Sequence, residues 1–263
     1  MPDAVLAALP EDFEARLVLD HLTRAFERLG DDPQYLTGMQ MVAPGVGELY
    51  GVKVPVLRDL ARGVLRMYGK ESDHLRSLAL ESWERGSREH KLLSLFILAG
   101  LKDLPPEERW KLGVRFLPDV TNWEICDQLC MALLGQALTE EARYMDVLET
   151  WVADEDLWVR RAALVAPVYL RRAKYPDELA RALDRRVLSI CKLLLDDPEH
   201  YIRKAVDWSI RQVLQRHYDL ARDWMMARTS ESLSKSARST LKMAAKKLKD
   251  SDQRSFRDTI EHS

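Results

Sequence analysis

The chain contains the stretch Asp156-Leu157-Trp158-Val159-Arg160-Arg161-Ala162, which recurs 43 residues later as Glu199-His200-Tyr201-Ile202-Arg203-Lys204-Ala205. In both copies an aromatic residue is followed three positions later by a cation and then by alanine. A further helix start rich in cations, at residues 87–91, lies 73 residues before Arg161 (161 − 88), which is about two shorter periods. A degenerate repeat of about 40 to 47 residues is typical of stacked helix pairs.

Helical periodicity extends from these copies over most of the chain. Apolar residues recur at i, i+3, i+4 and i+7, the spacing of one helix face. The segments with this pattern are 13–29, 56–67, 73–83, 88–101, 107–116, 123–134, 144–153, 158–170, 177–195, 201–215 and 218–226. Short turns that contain proline, such as 103–106 and 196–198, separate them, whereas β-hairpin dipeptides are absent. We therefore expect about a dozen helices joined as hairpins.

These patterns predict an all-α fold, a HEAT-like helical-repeat solenoid whose antiparallel helix pairs stack into a curved body with a concave cleft. A non-repetitive α-helical bundle is the alternative. We expect one repeat domain over residues 1–263, with an N-terminal helical cap at 1–33, a repeat body at 34–248 and a C-terminal tail at 249–263.

The composition is that of a globular protein, because 46% of the 263 residues are hydrophobic and 31% are charged. The longest apolar stretches, such as 92–101, are shorter than the roughly 20 residues of a membrane span, and residues 1–10 lack the positive start of a signal peptide. The three cysteines form no disulfide framework. We therefore expect a cytoplasmic protein that does not contact a membrane.

The formal net charge of −2 conceals an asymmetry along the chain. Residues 201–249 contain twelve Lys/Arg and four Asp/Glu, a balance of +8, so the other residues carry 28 basic and 38 acidic side chains. A basic C-terminal quarter suits an anionic partner such as nucleic acid. Solvated helices with cations on their outer faces would explain the same charges.

The sharpest local feature is Thr121-Asn122-Trp123-Glu124-Ile125-Cys126-Asp127. Asn122 or Thr121 can cap a helix here, which places Trp123 and Asp127 on one face at i and i+4. A carboxylate beside an indole face can stabilise a developing cation and position a water molecule. The alternative is a surface Asp127 with Trp123 as an anchor in the core.

Two further indoles have cations close to them in sequence. Trp158 precedes Arg161 by three residues. Only one of the adjacent arginines at 160 and 161 can face inward, where it could bind an anion or orient a carboxylate. Trp208 lies between Lys204 and Arg211 in the basic region, which suits nucleic acid. Each tryptophan could also be an ordinary core residue with solvated neighbours.

Six short motifs follow one another in the order Gly51-Val52-Lys53-Val54-Pro55, Arg88-Glu89, Trp123-x-x-x-Asp127, Trp158-x-x-Arg161, Lys204-Ala205-x-x-Trp208-x-x-Arg211 and Leu233-Ser234-Lys235. None is specific alone, but their order and spacing resemble the AlkD-type alkylpurine DNA glycosylases over roughly residues 34–248. This resemblance implies HEAT-like helix pairs around a positively charged cleft for duplex DNA. It also implies excision of N3- and N7-alkylated purines without base flipping and without a metal or organic cofactor.

The resemblance implies roles for individual residues. Asp127 matches the catalytic aspartate, and Arg161 matches the arginine beside it. Trp123 and Trp208 match the two tryptophans that line the deoxyribose and backbone of the lesion. An alkylated purine is already cationic and leaves readily, so Asp127 would stabilise the oxocarbenium-like sugar and place a water molecule.

Five cations are candidate phosphate contacts, namely Arg58 and Arg211 by the resemblance, and Lys204, Lys235 and Arg238 by their place in the basic region. Phosphate contacts carry no sequence information, so we expect damage-selective binding that is largely independent of sequence. The expected partner is double-stranded DNA containing alkylated bases. We expect a monomer without an obligate protein partner, associated with the nucleoid when bound to DNA.

The chain departs from the family pattern near its start. Catalytic members have a tyrosine nine residues before the glycine matched by Gly51, and Val42 stands at that position. Residues 42–47 are also richer in glycine and proline than a helix tolerates, so we expect the first helix pair to end there in a loop. A substrate preference different from that of simple methylpurine enzymes would follow.

Two other functions are compatible with the sequence. One is a HEAT-like protein that binds damaged or branched DNA without glycosylase activity, and the other is a protein-interaction scaffold. The retained Asp127 favours the enzyme, whereas a pI of about 6.3 favours the scaffold. Metal binding lacks support because the six histidines form no HExxH or Cys/His pattern. Cys126 and Cys130 are interpreted as buried packing residues.

Overall fold

The structure, a computed structural model, describes residues 2–30, 32–69 and 72–261. Within these ranges the chain forms helices and no β-strand, which confirms the predicted all-α helical-repeat fold. The chain divides between Leu133 and Leu134 into two compact units. The division into a cap, a repeat body and a tail remains a prediction.

The first unit contains a row of packed helices. Its α-helices are α1 (Pro2–Leu6), α2 (Ala15–Leu29), α3 (Pro33–Val42), α4 (Val54–Tyr68), α5 (Ser72–Arg85), α6 (Arg88–Gly100), α7 (Pro106–Phe116) and α8 (Trp123–Leu129). Helix α6 packs against both α4 and α8, and α5 packs against α2 and α6. In the core, the buried rings of Trp83 and Phe116 stack with 4.1 Å between their centroids.

The second unit contains two rows of helices. Its α-helices are α9 (Gly135–Glu140), α10 (Tyr144–Thr150), α11 (Leu157–Val165), α12 (Asp177–Leu193), α13 (His200–Arg216), α14 (Tyr218–Arg228), α15 (Lys235–Ala244) and α16 (Asp250–Glu261). Neighbours pack within the row α11, α13, α15 and within the row α10, α12, α14, α16. Contacts of α13 with α12 and α14 join the rows. This arrangement is the stacking of helix pairs that the repeat predicts.

The repeat of 43 residues corresponds to a repeated set of hydrogen bonds. Arg160 Nη1 donates to the carbonyls six and five positions before it, at 2.8 and 2.9 Å. Arg203, the residue 43 positions later, donates to its own equivalents at 2.9 and 2.6 Å. Arg160 Nε also donates to Asp197 Oδ2 in the second copy at 2.9 Å, and the rings of Trp158 and Tyr201 lie 5.4 Å apart. The same hydrogen bonds therefore form at both helix starts, and Arg160 links the first copy to Asp197 of the second.

Each predicted helical segment begins within two residues of the start of a helix in the structure. Three of the predicted segments end in a 3₁₀ or π-helical turn and do not remain α-helical to their ends. Pro167 ends the predicted segment 158–170 early, because it lacks an N–H, and a 3₁₀ turn covers Ala166–Arg172. A second 3₁₀ turn, Trp151–Ala153, follows α10. Segment 123–134 contains a π-helical turn, Cys130–Leu134, after α8.

Five helices lack a predicted counterpart, namely α1, α3, α9, α15 and α16. Helix α16 occupies the segment interpreted as a tail, where Phe256 and Ile260 are buried. The expected loop at 42–47 is confirmed, because α3 ends at Val42 and both Gly45 and Gly47 have positive φ.

Gly51 gives a test of the backbone before α4. Its φ is +85°, and a Cβ would lie 2.7 Å from Leu36 Cδ2. We expect Gly51→Ala to lower the free energy of unfolding by about 1 to 3 kcal/mol. Gly38→Ala is the control, since Gly38 lies inside α3 with open space around it, and alanine there should stabilise by up to about 1 kcal/mol. Urea denaturation measures both, and equal changes would contradict the expectation.

Candidate active site and nucleic-acid interface

Helix α8 places the predicted carboxylate and indole one turn apart. The Asn122 side chain accepts hydrogen bonds from the backbone N–H groups of Glu124 and Ile125 at 3.0 and 3.1 Å, which confirms it as the N-cap. Trp123 is the first residue of the helix and Asp127 lies at i+4. Asp127 is only 8% exposed, so it is not a solvated surface residue. A buried carboxylate is a stronger electrostatic partner for a cation than an exposed one.

The indole of Trp123 is held by the loop that follows α3. It is half-buried, and its Nε1 donates to the carbonyl of Val42 at 2.8 Å. Thr121 Oγ1 donates to the carbonyl of Gly45, where a Cβ would lie 2.5 Å from Thr121 O. Val42 stands where the family pattern has tyrosine. Its backbone carbonyl therefore links this position to Trp123 at the start of α8.

A buried arginine connects α6 to the first turn of α8. Arg88 is 1% exposed, and it donates from Nε and Nη2 to the two carboxylate oxygens of Glu124 at 2.6 and 2.9 Å. Its Nη1 donates to Glu89 Oε1 at 2.8 Å and to Val52 O at 2.9 Å, and its Nη2 donates to the Tyr35 hydroxyl at 3.3 Å. These contacts occupy all five N–H donors of a guanidinium. Burial lowers the pKa of Arg88, but the hydrogen bonds and charge of Glu124 and the charge of Glu89 outweigh it, so the pKa lies above its usual value.

The same network explains two of the six sequence motifs. Glu89 accepts three successive backbone N–H groups, those of Tyr50 at 2.9 Å and of Gly51 and Val52 at 3.1 Å each. The loop before α4 therefore wraps the Glu89 carboxylate, and Arg88 joins that carboxylate to Glu124. The motifs at 51–55 and 88–89 thus hold the first turn of α8 in place through these hydrogen bonds.

Arg58, a predicted phosphate contact, also contacts α8. It is an exposed residue of α4 whose Nη2 donates to Gln128 Oε1 at 2.9 Å. Its guanidinium also lies 4.4 Å from the ring centroid of Phe96. Gln128 directly follows Asp127, so Arg58 presents a positive charge next to α8.

The adjacent arginines on α11 diverge, as predicted. Arg161 is 5% exposed and its Nη1 donates to the carbonyl of Tyr201. Arg160 binds the loop of its own repeat and Asp197. The buried arginine is therefore the one that the family resemblance selects.

Trp208 and Arg211 lie on α13. Trp208 is half-buried. Arg211 donates from Nε and Nη2 to the buried carboxylate of Asp207 at 3.0 to 3.2 Å. This ion pair neutralises much of the Arg211 charge, and its role as a phosphate contact remains a prediction.

Three predicted phosphate contacts line a basic groove formed by α13 and α15. The groove consists of two cavities of about 590 and 430 Å³ that share Lys235, Ser239 and Met243. Its cationic lining residues are Arg203, Lys204, Lys235, Arg238, Lys242 and Lys246. Neither cavity is lined by a carboxylate of the described residues, and among those residues no acidic side chain lies within ion-pair distance of Lys204, Lys235 or Arg238. We call this surface the α13/α15 groove.

Four residues of these two sites were not predicted from the sequence, namely Tyr35, Glu124, Lys242 and Lys246. The lysines continue the series 235, 238, 242 and 246, whose spacing of three or four residues marks one helix face. Nothing local in the sequence marks Tyr35 or Glu124 as partners of Arg88.

The cysteines are buried and free, as expected for Cys126 and Cys130. Burial raises the pKa of the Cys191 thiol. Among the residues that the structure covers, no group of three or more His, Cys, Asp or Glu side chains could hold a metal ion. The helices of these same ranges include none that is long and apolar enough to cross a membrane.

Comparisons with solved structures return the same fold. AlkD2 from Streptococcus mutans superposes with a TM-score of 0.56 at 18% identity, covering 82% of this chain and 98% of AlkD2. The protein smu.31 from Streptococcus mutans UA159 superposes with a TM-score of 0.52 at 18% identity, covering 73% of this chain and 100% of smu.31. No curated protein matches the sequence.

A family comparison covers the candidate site as well as the fold. The sequence model of the family described as DNA alkylation repair enzyme matches residues 22–248. The matched range includes α8 with its capped start, the Arg88 network and the α13/α15 groove. The chain therefore belongs to the family of DNA alkylation repair enzymes.

Proposed function

We propose that this protein is a monofunctional DNA glycosylase that releases cationic N3- and N7-alkylated purines from duplex DNA without flipping the damaged base. The observation that carries the proposal is the buried carboxylate of Asp127 one turn after the half-buried Trp123 on a capped helix. Membership of the DNA alkylation repair enzyme family supports the same reaction.

The chemistry follows from the charge of the lesion. Alkylation at N3 or N7 makes the purine a cation, so the bond from C1′ to the base breaks and the neutral base leaves with the bonding electrons. Positive charge then develops on the sugar, where a carboxylate stabilises it. A water oxygen bonds to C1′ and loses a proton, which Asp127 can accept. No acid is needed to protonate the base.

Other residues would orient this reaction. Trp123 and Trp208 would offer indole faces to the cationic sugar and its backbone, because the negative face of a ring attracts positive charge. Arg161 would orient Asp127 or bind a phosphate, since a guanidinium recognises either anion through paired N–H groups.

The α13/α15 groove would hold the DNA backbone. Its helix α15 and the turn after it carry Lys235, Arg238, Lys242 and Lys246 on one face, a row that extends over about 16 Å at 1.5 Å per residue. One strand of B-DNA has a phosphate for every 3.4 Å of axis, so such a row can meet several phosphates. Arg58 would add a phosphate contact from α4.

Counterion release gives a quantitative test of this groove. Replacing the four cations of the row by glutamine should reduce the slope of log affinity against log salt by about 3 to 4, at about 0.9 per lost contact. The affinity for undamaged duplex is measured by fluorescence anisotropy from low to moderate salt. The control replaces Arg62, Lys111, Arg115 and Lys192, four exposed cations outside the groove, by glutamine. An equal reduction of the salt slope in the two variants would exclude the groove as the specific phosphate site.

Base release tests the reaction itself. We expect the protein to liberate N7-methylguanine and N3-methyladenine from methylated duplex DNA, quantified as free bases by mass spectrometry. Release of neither base by a protein that binds duplex DNA would reject the glycosylase proposal.

One observation favours a second candidate, a non-catalytic binder of damaged or branched DNA. Val42 stands where the family resemblance calls for tyrosine. Salt-sensitive DNA binding without base release is the expected behaviour of such a protein. For either function we propose a cytoplasmic monomer that associates with the nucleoid through DNA.

A further inference from the structure

The end of α3 carries two adjacent apolar side chains that are exposed to solvent. Met41 is 77% exposed, the highest value among the large hydrophobic residues that the structure describes, and the adjacent Val42 is 60% exposed. None of the ten residues of α3 is fully buried. Two adjacent exposed apolar side chains at the end of a helix offer a contact for an apolar partner.

This apolar tip is fixed rather than free. The carbonyl of Val42 accepts the Nε1 hydrogen of Trp123 at 2.8 Å, and Ala43 directly after it is buried and donates to Met39 O at 2.9 Å. Thr121 Oγ1 binds the next turn through Gly45 O. The backbone that carries the tip is therefore attached to α8, the helix of Asp127.

The composition of the segment that carries the tip indicates the part of DNA that it suits. Residues 34–52 contain no Lys or Arg, and their only charged side chain is Glu48. A segment without cations gains nothing from phosphates, whereas Met and other apolar side chains enter base steps in the minor groove and unstack them. Methionine is suited to this because its flexible, polarisable side chain adapts to an irregular gap.

We propose that Met41 and Val42 form an apolar wedge that enters the base stack of duplex DNA next to the lesion. This inference rests on the proposed DNA-repair function and adds a specificity element to it. A damaged or missing base stacks poorly, so the wedge would enter there at lower cost than in intact duplex. The wedge would therefore select lesions, while the α13/α15 groove supplies affinity independent of damage.

The test uses a duplex with a tetrahydrofuran abasic analogue and 2-aminopurine as its neighbouring base. Insertion removes 2-aminopurine from the stack and raises its fluorescence. We expect the wild type to produce this rise, and the double variant Met41→Ser/Val42→Ser to lose most of it. Preference for the abasic duplex over intact duplex should fall about tenfold, with affinity for intact duplex changed less than about twofold.

Two further variants distinguish insertion by the tip from the loss of any exposed apolar side chain. Met41→Leu keeps an apolar side chain and should keep the fluorescence rise. Leu193→Ser removes a residue that is 69% exposed on α12, and it should leave both readouts at wild-type values. Thermal unfolding by circular dichroism checks that each variant is folded.

The outcomes distinguish the wedge from the function on which it rests. No fluorescence rise with a wild type that binds the duplex would overturn the wedge and leave DNA repair in place. An unchanged rise and preference in the double variant would overturn it equally. Absence of any duplex binding by the wild type would reject the proposed function itself.

Discussion

Asp127→Asn is expected to lower the rate of base release about 10²- to 10³-fold, the range seen when one preorganised electrostatic group is removed from an active site. Asparagine keeps the shape of the side chain but has no charge to stabilise the cationic sugar and cannot accept the proton of the attacking water. Because Asp127 is only 8% exposed, few water molecules are available to replace its charge. The measurement is single-turnover release of N7-methylguanine at saturating enzyme.

The fold and the DNA affinity should survive this change. The phosphate contacts proposed for α15 are on other elements than Asp127, so the affinity for undamaged duplex should stay within about twofold. Asp223→Asn is the control, because Asp223 is an exposed residue of α14 paired with Arg222, and its release rate should equal that of the wild type. Full release by Asp127→Asn would remove the proposed mechanism.

The helices that the sequence predicts bury mostly large apolar side chains, such as Leu57, Leu60 and Val64 of α4. Helix α15 shows why the periodicity missed others, since its buried positions are Ala237, Thr240, Leu241 and Ala244. These positions have the helical spacing, but only one of them carries a large apolar side chain. Helix α3 has no buried residue at all and therefore no core face to detect.

The candidate site was predictable only where its contacts are local. The Asn122 cap and the i, i+4 pair of Trp123 and Asp127 depend on neighbours in sequence, and a sequence pattern can reveal such contacts. The partner of Arg88 is Glu124, 36 residues away, and any acidic residue of a neighbouring helix would fit the same pattern. Selection among such partners depends on tertiary packing, which a single sequence does not display.

Burial of this network has a consequence for stability, and Arg88→Met should lower the free energy of unfolding by about 3 to 5 kcal/mol. The change leaves the buried carboxylate of Glu124 without both of its guanidinium hydrogen bonds at 2.6 and 2.9 Å. It also removes a donor from Val52 O and a positive charge from Glu89. Glu89 keeps its three backbone N–H donors, so most of the loss should come from Glu124. Urea denaturation followed by circular dichroism measures the effect.

A double variant tests whether charge, rather than the shape of the arginine, accounts for this loss. If an unpaired Glu124 carboxylate is the cause, Glu124→Gln in the Arg88→Met background should recover part of the lost stability, giving a favourable coupling energy in the cycle. Arg62→Met is the matched control, since Arg62 forms an exposed ion pair with Asp59 and its loss should cost less than about 1 kcal/mol. Equal losses at Arg88 and Arg62 would show that the buried network does not stabilise the fold. A loss at Arg88 that Glu124→Gln makes worse would assign the effect to packing instead of charge.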